Sequence, residues 1–324
     1  MCVYEAEAWN SLLPRLEIIV KPVARALSAL VLTGSACTGC SVSLINYINS
    51  SDQTTIADVL LNTISLKYHP QLSAAAGDLA VGAVRSTQQA GGYVLVVEGS
   101  IPTADGGRYC YVWDEGGRSV TMAEAVRSLA DNAQYVVAVG TCASFGGVTG
   151  AYSGAGAKGV GSFLGRSVVN LPGCPPHPDW IVGSLVKILS GSMPALDSNS
   201  RPTSYYTPEV IHERCPREEA EEASQFGQNG YCLGELGCRG PSCHADCDMR
   251  KWNNKQGYCI GVNGLCIGCT EPNFPAFPLH TAASVSGGAT PTPIAGTTPV
   301  PVDTPTPGPG GIRTISLPHI VKGR

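Results

Sequence analysis

Residues 29–40 read ALVLTGSACTGC, a short apolar run that ends in a turn rich in glycine and cysteine. Ala29 to Leu32 has the length of a buried strand, and Ser41 to Ile48 follows the turn as an amphipathic stretch. The same unit recurs along the chain. Tyr93–Val97 (YVLVV) ends in Glu98-Gly-Ser-Ile-Pro102, and Tyr135–Val139 (YVVAV) ends in Gly140-Thr-Cys-Ala-Ser144. Val168–Leu171 ends in Pro172-Gly-Cys-Pro-Pro176, and a helix is expected from Asp179 to about Leu189. Continuous apolar strands separated by helices predict a doubly wound parallel α/β sheet. In such sheets ligands bind beyond the carboxyl ends of the strands. Cys37 and Cys40, Cys142, and Cys174 all fall there, on three loops far apart in sequence. The sheet therefore predicts one site built from four thiols.

Beyond about residue 200 the periodicity fades, and eight cysteines crowd into positions 215–269. A segment so poor in apolar runs buries little core, so bound metal is expected to hold it together. Fourteen cysteines in 324 residues allow disulfides, structural zinc at the C-x2-C pairs Cys37–Cys40 and Cys266–Cys269, or iron–sulfur clusters. Iron–sulfur ligation takes thiolates in fours and is the favoured reading.

Composition narrows the partners. The net charge of −4 argues against a nucleic-acid partner, which needs a basic face. Only 14% of residues are charged, which suits a surface partly covered by another chain. Lys21, Pro22 and Arg25 interrupt the apolar stretch at 16–32, so it does not read as a membrane span. Glu5 and Glu7 stand where a signal peptide would be basic, which leads to the expectation of a cytoplasmic protein unless a leader or anchoring partner is missing. The expected domains are an N-terminal extension (1–28), a sheet domain (29–195), a cluster-binding domain (196–281) and a Pro/Thr/Gly-rich tail (282–324).

With these motifs in hand, the chain resembles the small, electron-transferring subunit of nickel–iron hydrogenases. The matching stretches are GSACTGCSVSLIN (34–46), ISLKYHPQLSAAAG (64–77), VEGSIPTADGGRYC (97–110), GTCASFGG (140–147), PGCPPHPDWIVG (172–183), HERCP (212–216), GCRGP (237–241) and CIGCTEPNFP (266–275). The resemblance implies a flavodoxin-like domain followed by a largely irregular cluster domain. It also implies three iron–sulfur clusters leading away from a nickel–iron centre held by a large subunit, in an obligate heterodimer or a higher assembly of it. By motif, Cys37, Cys40, Cys142 and Cys174 match the ligands of the proximal cluster. His212, Cys215, Cys232 and Cys238 match those of the distal cluster, where one imidazole replaces a thiolate; otherwise His212 is a solvated loop histidine.

Cys247, Cys266 and Cys269 match the three ligands of a medial three-iron cluster in many relatives, in which a proline stands where a fourth ligand would be. Here that position is Cys259, as in the selenium-containing branch, so three [4Fe-4S] clusters are expected. The bland alternative is a free, buried Cys259 and a [3Fe-4S] medial cluster. Cys2, Cys110 and Cys243 are left over, and Cys243, lying between ligands of two clusters, is the weak point of this assignment. Gly39 and Gly147 occupy the positions where oxygen-tolerant relatives carry extra cysteines, so a modified proximal cluster is not expected. The resemblance assigns hydrogen activation to the large subunit and electron relay to this chain, with a cytochrome, ferredoxin or quinone-linked protein as carrier. The rival readings are a cluster-bearing component of another respiratory complex and a zinc-binding module without redox function.

Overall fold

The structure is a computed structural model, and it describes residues 28–49 and 51–275. The tail expected at 282–324, the extension at 1–28 apart from Ser28, and Cys2 lie outside the described residues. In chain order the sheet half runs β1 (Ser28–Thr33), α1 (Gly39–Ile45), α2 (Ile56–Asn62), β2 (Ser65–Tyr68), α3 (Gly77–Ala90) and β3 (Tyr93–Glu98). It continues with β4 (Tyr111–Glu115), β5 (Arg118–Thr121), α4 (Met122–Asn132), β6 (Ala133–Val139), α5 (Thr141–Phe145), α6 (Gly147–Tyr152), α7 (Val160–Leu164), β7 (Val169–Leu171) and α8 (Pro178–Leu189).

Five strands form one sheet in the order β2-β1-β3-β6-β7, and every pairing in it is parallel. Leaving out the β4–β5 hairpin, that is the 2-1-3-4-5 order of flavodoxin-like folds, with the switch point between β1 and β3. Period-2 alternation sorts the strand residues between two cores. Leu30, Leu32, Leu95 and Val97 face Val84 of α3 and Val126 and Leu129 of α4. Ala29, Val31, Val94 and Val96 face Val59 of α2 and Ile181, Leu185 and Ile188 of α8. Both faces are covered, which is why these strands read as unbroken apolar runs. Cys110 is half-buried and packs against the first core.

Regular structure thins out after α8, as expected. From Ile211 to Val262 the described chain has only short 3-10 turns and the four-residue helix α9 (Cys247–Arg250). Polar contacts that are long in sequence hold it to the sheet half. Trp180, fully buried on α8, donates its indole N–H to Asp246 at 2.7 Å. Tyr206 donates to the Pro172 carbonyl at 2.7 Å. Arg201, 3% exposed, bonds Asp197 at 2.7 Å, Glu271 at 2.9 Å and the Thr270 carbonyl at 3.1 Å. Among the described residues no helix is long and apolar enough to cross a membrane.

Candidate metal centres at the carboxyl edge of the sheet

The loop after β1 is shaped by Glu98, which ends β3 across the switch point. Its carboxylate is 2% exposed and accepts the Cys40 amide at 3.0 Å, the Ser41 amide at 3.4 Å and the Ser41 hydroxyl. His69 stands behind Ser41. Its Nδ1 accepts the Gln71 amide at 3.2 Å, so Nε2 carries the proton and faces Ser41 Oγ at 3.3 Å. Burial pulls the His69 ring down to about 4, which keeps it neutral. These bonds fix the direction in which Cys37 and Cys40 leave the strand.

Cys37, Cys40, Cys142 and Cys174 lie within electrostatic reach of one another. Burial pushes the Cys40, Cys142 and Cys174 thiols up, and the neighbouring thiols and Glu98 add to the rise at Cys40. Four soft sulfurs brought together from three loops are a donor set suited to an iron–sulfur cluster rather than to one small ion. The backbone leaves room around them. A Cβ on Gly140, at φ 89°, would sit 2.5 Å from Cys40 Sγ, and one on Gly147, at φ 55°, would sit 2.8 Å from Cys142 Sγ. Only glycine fits these positions, both for the left-handed backbone and for the close approach. Gly39 and Gly147, the two positions singled out for oxygen tolerance, thus flank Cys37 and Cys142 directly. The Val148 backbone works against the effect of burial at Cys142 and holds part of that rise down.

A second group joins Cys247, Cys259, Cys266 and Cys269. Cys247 and Cys259 are within electrostatic reach of each other, as are Cys269 and both Cys259 and Cys247. Burial drives Cys247, Cys259 and Cys269 up. Cys266 is raised first by a hydrogen bond to Cys243 and then by burial. Cys259 is exposed, whereas Cys243, left out of every set by sequence, is 1% exposed at the heart of this group.

The third group is looser. Cys232 and Cys238 are neighbours, and burial raises Cys232. Cys215 follows His212 by one tight turn, its amide donating to the His212 carbonyl at 2.9 Å. Gly240 places Cys238 Sγ beside the His212 backbone: a Cβ there would lie 3.5 Å from the sulfur and 3.6 Å from the His212 nitrogen.

Sequence reasoning missed how the groups are joined. Cys174, in the first group, lies within electrostatic reach of Cys269 in the second. The Cys266 amide, in the second, donates to Cys238 Sγ in the third at 3.4 Å. Thr141 clamps the first junction, accepting the Gly173 amide at 2.8 Å and donating to the Cys269 carbonyl. The only signal for this was the position of Thr141 between β6 and Cys142.

Residues 37–188 match the family described as NADH ubiquinone oxidoreductase, 20 Kd subunit, and residues 207–279 match the family described as the C-terminal part of NiFe/NiFeSe hydrogenase small subunits. The periplasmic [NiFeSe] hydrogenase small subunit of Desulfomicrobium baculatum is 42% identical over 265 residues, covering 75% of this chain and 82% of that one. The periplasmic [NiFe] hydrogenase small subunit of Solidesulfovibrio fructosivorans is 37% identical over 257 residues, covering 76% and 78%. A solved structure of the D. baculatum [NiFeSe]-hydrogenase superposes with a TM-score of 0.71 at 41% identity, covering 78% of this chain and 96% of that one.

The expectation of a cytoplasmic protein is overturned by these relatives, which are periplasmic by name. Export is read from a removable leader rather than from a folded body, so Glu5 and Glu7 were a poor guide. Fold, thiol groups and relatives converge: the chain belongs to the small-subunit family of nickel–iron and nickel–iron–selenium hydrogenases.

Proposed function

We propose that this chain holds three four-iron clusters and passes single electrons between the nickel–iron centre of a large subunit and an external carrier that presents a basic face. The proximal ligands are Cys37, Cys40, Cys142 and Cys174; the medial ligands Cys247, Cys259, Cys266 and Cys269; the distal ligands His212, Cys215, Cys232 and Cys238. The observation that carries this reading is the pair of junctions between the groups: Thr141 bonds both the Gly173 amide and the Cys269 carbonyl, and the Cys266 amide donates to Cys238 Sγ at 3.4 Å. Each brings residues of one group against residues of the next, which supports an ordered relay rather than three separate sites.

Bound there, the clusters would supply one-electron redox chemistry. The chain's own residues bring the sulfurs together, bury those of Cys232 and Cys266, and donate amides to those of Cys215 and Cys238. An imidazole in place of a thiolate makes the distal site less negative, so it accepts an electron more readily. Zinc fits less well. Tetrahedral zinc at ~2.3 Å draws its sulfurs to within about 4 Å of each other. Among the described residues no three His, Cys, Asp or Glu side chains are arranged to hold a single ion. A single-cluster respiratory protein would leave the medial and distal groups without a role.

Beside the proximal loop, a cavity of about 860 Å³ has Val42, Ile48, Pro175, Met249 and Trp252 on its wall among polar and charged residues such as Asp179, Arg250 and Lys255. Val42, Ile48 and Met249 are exposed there, a face we assign to the large subunit. Around the distal group the surface is acidic instead, with Glu213, Glu218, Glu219, Glu221, Glu222 and Glu235 all exposed. Arg214 is paired with Asp248, and Arg217, bonded to the neutral Asn263, offsets only one of these charges, so the acids dominate. Such a field steers a basic carrier. Changing Glu218 and Glu219 to lysine is expected to slow reduction of a lysine-rich cytochrome about tenfold at low salt, with the difference closing at high salt. Equal rates at low salt would place the exit elsewhere. The relatives' periplasmic naming supports export of this chain.

Electron paramagnetic resonance of the oxidised complex tests the ligand sets. No three-iron signal is expected, and Cys259→Ala should produce one. A strong three-iron signal in the native complex would remove Cys259 from the medial ligands.

A further inference from the structure

Thr141 opens α5 and is 1% exposed. A hydroxyl at the start of a helix ordinarily accepts an amide from its own first turn. Thr141 spends its hydroxyl on two other segments instead. It accepts the Gly173 amide at 2.8 Å, from the loop after β7, and donates its one proton to the Cys269 carbonyl, 128 residues further along the chain. Its own amide donates to the Gly173 carbonyl at 3.0 Å, so Thr141 and Gly173 are closed into a ring of two hydrogen bonds. That ring continues the β6–β7 ladder, where the Gly140 amide donates to the Leu171 carbonyl at 2.9 Å. Each clamped residue stands next to a proposed ligand. Thr141 precedes Cys142, Gly173 precedes Cys174, and the third point of the clamp is Cys269 itself. The next carbonyl, Thr270, is held by buried Arg201 at 3.1 Å, so the medial segment is fixed at two successive residues.

Resting on the ligand sets proposed above, we infer that Thr141 is a positioning residue of the relay, whose single hydroxyl sets the spacing between the proximal and medial clusters. Two loops that carry proximal ligands and one residue that carries a medial ligand meet at one oxygen, so none of them shifts alone. Electron passage between two centres falls steeply as they separate. The potential of each cluster depends on its own ligands, the hydrogen bonds to its sulfurs and its exposure. Thr141 Oγ1 bonds main-chain N–H and C=O groups, so it acts on the spacing and leaves the potentials alone. Without the hydroxyl, the buried Gly173 amide and the Cys269 carbonyl each lose a partner. An unpaired buried polar group is costly, so the segments draw apart toward new partners.

The test is electron paramagnetic resonance of the complete two-subunit complex reduced under hydrogen, with a redox titration, for the native chain, Thr141→Val and Thr141→Ser. Valine keeps the branched shape and removes both bonds, whereas serine keeps the hydroxyl. The native complex should show a splitting from the magnetic interaction of the proximal and medial clusters. Thr141→Val is expected to lose that resolved splitting while both midpoint potentials stay at their native values. Its hydrogen-dependent dye reduction should fall about tenfold, the low end for residues that support metal ligands. Thr141→Ser should restore the splitting and the rate. The inference is overturned if the valine variant keeps the native splitting, if serine loses it as fully, or if the potentials move while the splitting stays. Loss of either cluster, or of the complex, in Thr141→Val also overturns it, because the hydroxyl then serves assembly rather than spacing. A native complex without any cluster signal would instead sink the ligand sets on which the inference rests.

Discussion

Replacing Cys142 by alanine is expected to abolish hydrogen-dependent reduction of an external dye while leaving hydrogen–deuterium exchange by the large subunit in place. Cys142 sits on the loop after β6, and its thiol is in reach of Cys37 and Cys174. Changing residues that only support metal ligands already lowers affinity or activity by about 10–100-fold, so losing a ligand should exceed ~100-fold. Heterolytic exchange needs no electron to leave the partner's metal centre, so it separates relay from catalysis. Cys110→Ala is the control, because that thiol packs against the first core away from the three groups. Equal loss in both assays would show a failed complex, whereas full dye reduction in Cys142→Ala would remove the proximal cluster from the relay.

The second large effect is on stability. Arg201 is 3% exposed and Glu271 is 7% exposed, and their ion pair at 2.9 Å joins the segment after β7 to the residues following Cys269. Asp197 bonds the same guanidinium, which also lies over the Tyr206 ring at 5.3 Å. Removing one partner of a buried pair leaves an uncompensated charge and costs about 3–5 kcal/mol. For a domain of this size, Arg201→Met should lower the melting temperature by roughly 10 °C. It should also release iron from the medial site earlier on heating, because Thr270 follows Cys269 directly and its carbonyl is one of the bonds lost. The double change Arg201→Met with Glu271→Met should recover much of the loss. No change in melting temperature would mean that the pair does not anchor the cluster half.

The sheet was legible because its strands are buried on both faces, so YVLVV and YVVAV stand out without alternation. The position of Cys37, Cys40, Cys142 and Cys174 followed from β1, β6 and β7, since each lies shortly after one of these strands. Less visible was β2 (SLKY), a half-buried edge strand with no apolar run to mark it. The hairpin β4–β5 turns at Gly116-Gly117, both at positive φ, a Gly-Gly signal that stood in the sequence unread. In the second half periodicity carries no information, because its small apolar clusters gather single residues from irregular segments and buried ion pairs tie those segments together. Arg201 and Glu271 are 70 residues apart, and neither has a pattern around it. Cys243 was counted as a remainder for a related reason: motif matching says nothing of a residue that is buried beside the matched cysteines without belonging to their pattern.

The central claim is that electrons from hydrogen leave through this chain by three clusters in series. The most direct test is electron paramagnetic resonance on the natively purified complex, first oxidised and then equilibrated with hydrogen gas. Signals of reduced four-iron clusters that appear under hydrogen, and interact magnetically as neighbours along a chain must, are the predicted result. A sample silent in both states, with zinc in place of iron, would contradict it.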